Sequence, residues 1–356
     1  MLQSTLPPSP ATTLINWQRE HGRHDLPWQQ AITPYRVWVS EIMLQQTQVG
    51  TVIGYFERFM ARFPDLAALA AAPQDDVLHL WSGLGYYSRA RNLHKAAQLA
   101  QAEYNGALPE DIDELQKLPG IGRSTAGAIL SLACGQSQPI LDGNVKRVLS
   151  RYLALPGWPG STPNMKALWS AAEHYAPDVD ADVYTQALMD LGATLCTRAS
   201  PACLVCPISH SCQARLTAQT DEIPAAKPKR ARPLRSTCFV IARLADGRVL
   251  LEKRPAQGIW GGLWCFPEAE SEEQVRHWGH TRFGLNEMRL ESLEPVRHGF
   301  THFELLIHPH IVNVPTELLA ITDIDACQWC NVSAPPNVGL AAPVARLLKQ
   351  LAGNRQ

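Results

Sequence analysis

The spacing of apolar residues changes once along this chain, and that change constrains the fold more than any other feature. Through roughly the first 215 positions, apolar residues recur at three- and four-residue intervals. Val49, Val52, Ile53, Phe56, Phe59 and Met60 form one such helical stripe. Further stripes run through Val77–Trp81, Leu93–Ala100, Met165–Tyr175 and Val183–Leu191, with Pro64, Pro73, Pro109 and Pro163 near expected helix starts. Between Asp221 and Arg235 the pattern lapses into Pro224, Pro228 and Pro233 mixed with Lys227, Lys229, Arg230, Arg232 and Arg235, which reads as an extended linker. After it the period is two. Thr237–Ala242 and Arg248–Lys253 flank Asp246-Gly247, a strong hairpin signal. Glu291–His298 and Phe303–Val312 read as further strands, and Ser271–Phe283 and Pro343–Leu351 as helices. The expected architecture is an all-α domain over 1–220, a linker over 221–235 and an α+β domain over 236–356.

A chain of 356 residues is long enough for two such domains, and 46% apolar residues can fill two cores. The formal net charge of -1 gives no global attraction for nucleic acid, so any such binding must use local positive potential. No apolar run is long enough to span a bilayer, and Met1 to Ala11 lacks the basic and apolar regions of a signal peptide. The expectation is therefore a monomer in the reducing cytoplasm. There, the crowding of Cys196, Cys203, Cys206 and Cys212 argues for a metal centre rather than disulfides. Four thiolates suit either structural zinc or an iron–sulfur cluster; the single short Cys-x-x-Cys pair is a poor match to the usual paired zinc knuckles. Cys327 and Cys330 have no companion pair and read as packing residues, as do Trp260 and Trp264.

The run from Leu118 to Gly127 contains Gly120 and Gly122, a tight turn between a helical stretch and an apolar helix. This helix-hairpin-helix leaves the main-chain N–H groups around Gly120, Gly122, Ser124 and Thr125 to hold a DNA phosphate without reading sequence. Asp142 falls just before the next periodic helix. It reads as an N-cap, and a helix N-terminus is expected to keep its carboxyl ionised. Glu41 lies among Val39, Ile42, Met43 and Leu44; it is either a surface residue of an amphipathic helix or a desolvated carboxyl with a raised pKa.

The hairpin, Asp142 and the cysteines, spaced by six, two and five residues, resemble the endonuclease III superfamily of base-excision enzymes. The segments Leu26-Pro27-Trp28, Trp38 to Thr47 and Gly83 to Tyr87 narrow the resemblance to the MutY adenine glycosylases, over about Trp17 to Leu351. That resemblance implies a [4Fe–4S] cluster on the four cysteines. It implies removal of adenine mispaired with 8-oxoguanine or guanine in double-stranded DNA, after the base has been flipped from the stack. Glu41 would be the acid, Asp142 the stabiliser of the sugar cation, and Asn144 a hydrogen-bonding neighbour. Gln45 and Gln46 resemble the wedge that fills the gap, Tyr86 the residue stacked beside 8-oxoguanine, and Gln186 the reader of adenine's edge, a pairing with a physical basis in amide–adenine complementarity. Bifunctional relatives carry a lysine where this chain has Ser124, so strand cleavage is not expected, beyond a weak side reaction from Lys146. Gly258 to Glu268 resembles the opening of a Nudix domain, but the helix that follows lacks the acidic metal-binding pattern, which leaves a binding module. Phe300-Thr301-His302 stands where the family has Phe-Ser-His, implying that Thr301 and His302 read 8-oxoguanine.

Overall fold

The computed structural model describes residues 6–228, 231–315 and 326–353. Lys229 and Arg230 of the expected linker, and residues 1–5 of the N-terminal segment, lie outside them. Twelve α-helices precede the first strand among the described residues: α1 Ala11–His21, α2 Pro34–Leu44, α3 Val49–Arg62, α4 Leu66–Ala71, α5 Gln74–Leu80, α6 Ser88–Glu103, α7 Ile112–Lys117, α8 Arg123–Cys134, α9 Gly143–Tyr152, α10 Thr162–Tyr175, α11 Ala181–Asp190 and α12 Gln213–Leu216. Then follow β1 Leu234–Arg243, β2 Val249–Lys253, β3 Trp264–Cys265, β4 Glu268–Ala269, α13 Glu272–Phe283, β5 Glu291–Ser292, β6 Val296–Gly299, β7 Glu304–Asn313, β8 Cys327–Cys330 and α14 Ala342–Gly353. No described helix is long and apolar enough to cross a membrane.

The fold is the expected pair, a helical part and an α+β part. Contacts divide the chain into one unit of residues 1–71 and 92–229 and another of 72–91 and 230–356. The grouping of 72–91 with the C-terminal residues has no counterpart in the periodicity. It rests on tight local packing: Arg91 donates to Gly261 O at 2.6 Å, Lys253 pairs with Asp75 at 2.9 Å, and a Cβ on Gly339 would meet Leu78 Cβ at 2.7 Å.

Helix boundaries in the first unit follow capping chemistry. Thr33 accepts from Arg36 N at 3.2 Å with Pro34 opening α2, Asp111 caps α7, and Asp142 caps α9 by accepting from Val145 N at 2.7 Å. Gly135, at φ 65, ends α8 in the left-handed conformation that glycine adopts without strain. One core gathers Leu14, Val145, Val148, Leu149, Tyr152, Leu168, Tyr175, Leu188 and Leu191. Each such side chain contributes about 1.5–3 kcal/mol on burial. Helix α8 is the hub, packing against both α2 and α11.

In the second unit the strand order is β3-β2-β1-β7-β5, with β4 also on β1, β6 on β7 and β8 on β2. The expected β1–β2 hairpin is present, with Leu244 N donating to Arg248 O at 2.9 Å around Gly247 at φ 85. β1 and β7 pair in parallel from Leu234↔Glu304 to Arg243↔Asn313. The long strand expected over Glu291–His298 is two short ones, β5 and β6, interrupted before Pro295, which has no N–H for a ladder. Cys238, Val240 and Ala242 face one side, toward Val275 and Phe283 of α13; Phe239 faces the other, toward Trp260 and Phe266. Trp260, Trp264 and Cys330 are buried, as packing residues should be.

Candidate active site on the helical unit

Helix α2 brings Glu41 to the end of an almost wholly buried helix, between Ser40 and Ile42. Helix α9 presents Asp142 at its N-terminus. The chain reaches Asp142 by crossing α8 very closely: a Cβ on Gly127 would lie 2.6 Å from Pro139 O, so only glycine fits. Ser124 Oγ, also on α8, accepts from Leu141 N at 2.9 Å and fixes the residue before Asp142. Glu41 and Asp142 lie close enough to repel each other electrically.

Burial, and secondarily the Asp142 charge, push the Glu41 carboxyl up to about 8. Glu41 is thus the desolvated carboxyl, not the surface one. The expectation for Asp142 needs correction. Its carboxyl is raised, not lowered, because burial outweighs the N–H groups of Val145 and Asn144 and the cations Arg147 and Lys146, all of which pull it back. The helix N-terminus moderates the cost of burying that charge but does not cancel it. More groups favour the anion at Asp142 than at Glu41.

Asn144 Oδ1 accepts from Arg147 Nη2 at 2.8 Å. The same guanidinium donates to Gly192 O at 2.6 Å and to Cys196 O at 2.7 Å. Gly192 lies in a π-turn, Leu191–Leu195, and a Cβ there would meet Asn144 Cβ at 2.6 Å. Arg147 therefore ties the N-terminus of α9 to the cysteine loop. Sequence reasoning missed it, although a cation one turn after a capping Asp was a visible signal.

Cys196, Cys203, Cys206 and Cys212 line one cavity with Val148, Leu191, Leu195, Ile208 and Arg151. Among the described residues no three His, Cys, Asp or Glu side chains converge tightly enough for a single metal ion. Arg151 is only 2% exposed. Its guanidinium donates to Thr197 O at 2.7 Å, Ile223 O at 2.7 Å and Cys196 Sγ at 3.3 Å, with no carboxylate among its described partners. A buried cation without an anion costs several kcal/mol. An anionic thiolate cluster beside it would offset that cost, so the donor set fits such a group. Burial also pushes the Cys206 thiol up to about 12, and a metal centre is what brings such a thiol to its thiolate.

Gln186 lies on α11, which packs on α8 and α9, and donates from Nε2 to Asp190 Oδ1 at 2.9 Å. Gln46, just after α2, is exposed at φ 59, a strained conformation of the kind found at functional turns; Gln45 ends the helix before it. In the hairpin, Gly120 needs both its φ of 83 and its missing Cβ, which would lie 2.9 Å from Asn92 Cβ. No side chain caps the N-terminus of α8 at Gly122. Thr125 is buried. In the second unit Tyr86 is 47% exposed at φ 47, beneath the Arg89 guanidinium. Thr301 and His302 form the exposed tip of the β6–β7 hairpin, closed by Phe300 N donating to Phe303 O at 2.9 Å, with the Phe300 and Phe303 rings stacked at 4.6 Å.

Comparison with known proteins agrees with both parts. Residues 39–174 match the HhH-GPD superfamily base excision DNA repair proteins, and residues 237–350 match the NUDIX domain. The chain is a DNA glycosylase of the helix-hairpin-helix class joined to a Nudix-type domain. Among solved structures, a thermostable thymine-DNA glycosylase superposes with a TM-score of 0.51 at 26% identity, covering 58% of this chain and 95% of that one. A non-covalent endonuclease III–DNA complex shares the fold, with a TM-score of 0.50 at 22% identity over 58% of this chain and 94% of that one. Over nearly its full length the chain is 38% identical to an adenine DNA glycosylase of Buchnera aphidicola subsp. Acyrthosiphon pisum, covering 96% of this chain and 97% of the relative. The rat adenine DNA glycosylase is 33% identical over 94% of this chain and 76% of its own length. This chain belongs to the adenine DNA glycosylases, the MutY family.

Proposed function

We propose that this enzyme removes adenine opposite 8-oxoguanine or guanine in duplex DNA by hydrolysing the N-glycosidic bond, without efficient strand cleavage. The observation that carries the reading is the Glu41 carboxyl held near 8 beside Asp142. With the base flipped out, neutral Glu41 donates its proton to adenine N7. The C1′–N9 bond then breaks with its electron pair leaving on the base, and positive charge develops on the sugar. Proton donation of this kind is worth about 10²–10⁴-fold in rate. Asp142, as carboxylate, stabilises the sugar cation. Glu41, now ionised, takes a proton from the water that adds to C1′, which restores the acid and leaves an abasic site. Asn144 donates toward the same centre.

Ser124 supports the absence of lyase chemistry. Its hydroxyl is engaged by Leu141 N, and it has no amine to form an imine with the sugar. Cys196, Cys203, Cys206 and Cys212 would hold a [4Fe–4S] cluster, with Arg151 as its buried counter-charge; when bound, the cluster ties the loop to α9 as a structural centre. Gln45, Gln46 and Tyr86 are read as the residues that fill and flank the gap. Thr301 and His302 are read as the contact to 8-oxoguanine, with the Thr301 hydroxyl toward N7–H and O8. Phosphate binding falls to the main chain from Gly120 and Gly122 to Ser124 and Thr125.

The test is single-turnover release of adenine from an A·8-oxoguanine duplex, with and without alkali. Free adenine with breaks only after alkali is the expected result. Breaks without alkali, or intact adenine after exhaustive incubation, would overturn the reading.

A further inference from the structure

Asp190 is the most heavily hydrogen-bonded carboxylate described in the helical unit, and nothing in the mechanism above uses it. Its side chain is 1% exposed. Oδ1 accepts from Arg23 Nε at 2.9 Å, Arg23 Nη2 at 2.6 Å and Gln186 Nε2 at 2.9 Å. Oδ2 accepts from Arg23 N at 2.8 Å and Gln18 Nε2 at 3.1 Å. A capping or solubilising role needs none of this. Arg23 and Gln18 lie in and just after α1, far along the chain from α11, so the network is assembled by tertiary packing.

We infer that Asp190 is a positioning residue that sets the donor–acceptor order of the Gln186 amide and, through it, selectivity for adenine over 6-oxopurines. The inference rests on the reading of Gln186 as the reader of adenine. A carboxylate offers only acceptors. Gln186 must therefore turn Nε2 toward Asp190, and Oε1 is left facing away, with one N–H free beside it. That order, one acceptor and one donor, complements adenine, whose edge offers an amino donor next to a ring-nitrogen acceptor. It opposes a 6-oxopurine, whose O6 would meet Oε1. Flipping the amide would aim its oxygen at a buried carboxylate, a repulsion of two acceptors. The doubly bonded Arg23 guanidinium keeps Asp190 itself from turning.

The test is the ratio of single-turnover rates on adenine, unsubstituted purine and hypoxanthine, each opposite 8-oxoguanine, for wild type, Asp190→Asn, Arg23→Lys and Gln186→Leu. Asn offers a donor as well as an acceptor and releases the amide. The adenine-to-purine ratio should then fall about tenfold, the worth of one net hydrogen bond, while hypoxanthine gains relative to adenine. Arg23→Lys, which leaves Asp190 in place but loosens it, should move both ratios the same way by less, and serves if Asp190→Asn does not fold. Equal losses on all three bases in Asp190→Asn, or in Arg23→Lys, would mean a purely structural role and overturn the inference. An unchanged ratio in Gln186→Leu would instead show that Gln186 does not read the base, a distinct failure. Loss of the ratio in Gln186→Leu with its retention in both other variants would refute the role of Asp190 alone.

Discussion

Replacing Glu41 by Gln should make the protein more stable while abolishing base removal, and the size of the gain should depend on pH. The carboxyl's value of about 8 against its ordinary 4.5 means that the fold disfavours the charged form. At 1.36 kcal/mol per unit, the penalty for the ionised group is about 5 kcal/mol when fully expressed. The direction follows from proton linkage. Because the folded value is raised, the folded protein binds more protons between pH 4.5 and 8 than the unfolded chain, so stability falls as pH rises through that window. At pH 7 the folded protein avoids ionisation by taking up a proton, at a cost of about 3 kcal/mol relative to a group that never ionises. At pH 5 that cost is under about 1 kcal/mol. The Gln variant should therefore melt higher than wild type by roughly 6–12 °C at pH 7 and by about 1–2 °C at pH 5, since 1 kcal/mol moves a domain of this size by about 2–4 °C. Differential scanning calorimetry at the two pH values gives the answer. A stabilisation equal at both, or none at pH 7, would refute the claim that Glu41 is a desolvated acid. The catalytic side runs in parallel: wild-type single-turnover rates should decline as pH passes about 8, where Glu41 loses its proton.

Gly127→Ala should lower adenine release and cost about 1–3 kcal/mol in a urea melt, because the new Cβ meets Pro139 O at 2.6 Å and displaces the approach to Asp142. Arg151→Met should lower iron content per chain, measured by atomic absorption after mild chelation, and cost about 3–5 kcal/mol if the buried guanidinium balances an anionic cluster; full iron retention would count against that pairing. Thr301→Val should leave cleavage at A·G mispairs unchanged and reduce binding to A·8-oxoguanine by roughly fivefold, the share of one hydrogen bond in a fluorescence titration.

What was legible in the sequence was local. A helix is written in its 3.6-residue spacing and its cap, as for Asp142 before α9 and Ser271 before α13. The β1–β2 hairpin is written in Asp246-Gly247, and the exposed tip at Thr301-His302 in its short spacing between strands. The four cysteines announced themselves because they share one loop. Glu41 remained ambiguous, since no neighbour in sequence shows whether a helix face meets water or protein. Segment 72–91 gave no sign that its packing partners would lie beyond residue 230, because tight approaches such as Gly339 against Leu78 join positions more than 250 residues apart.

The composition of the acid pair belongs to the sequence, and the protonation of that pair to the tertiary structure. Desolvation sums over every atom within a few ångströms, whatever its distance along the chain. It lifted Glu41, which settles between the two readings its neighbours in sequence left open, and it also lifted Asp142 against the pull of a helix N-terminus, which local reasoning put the other way. Asp190 makes the same point. On paper it is one acidic residue at the end of a helix; its five donors come from its own helix and from residues up to 172 positions away, and packing alone brings them to one carboxylate.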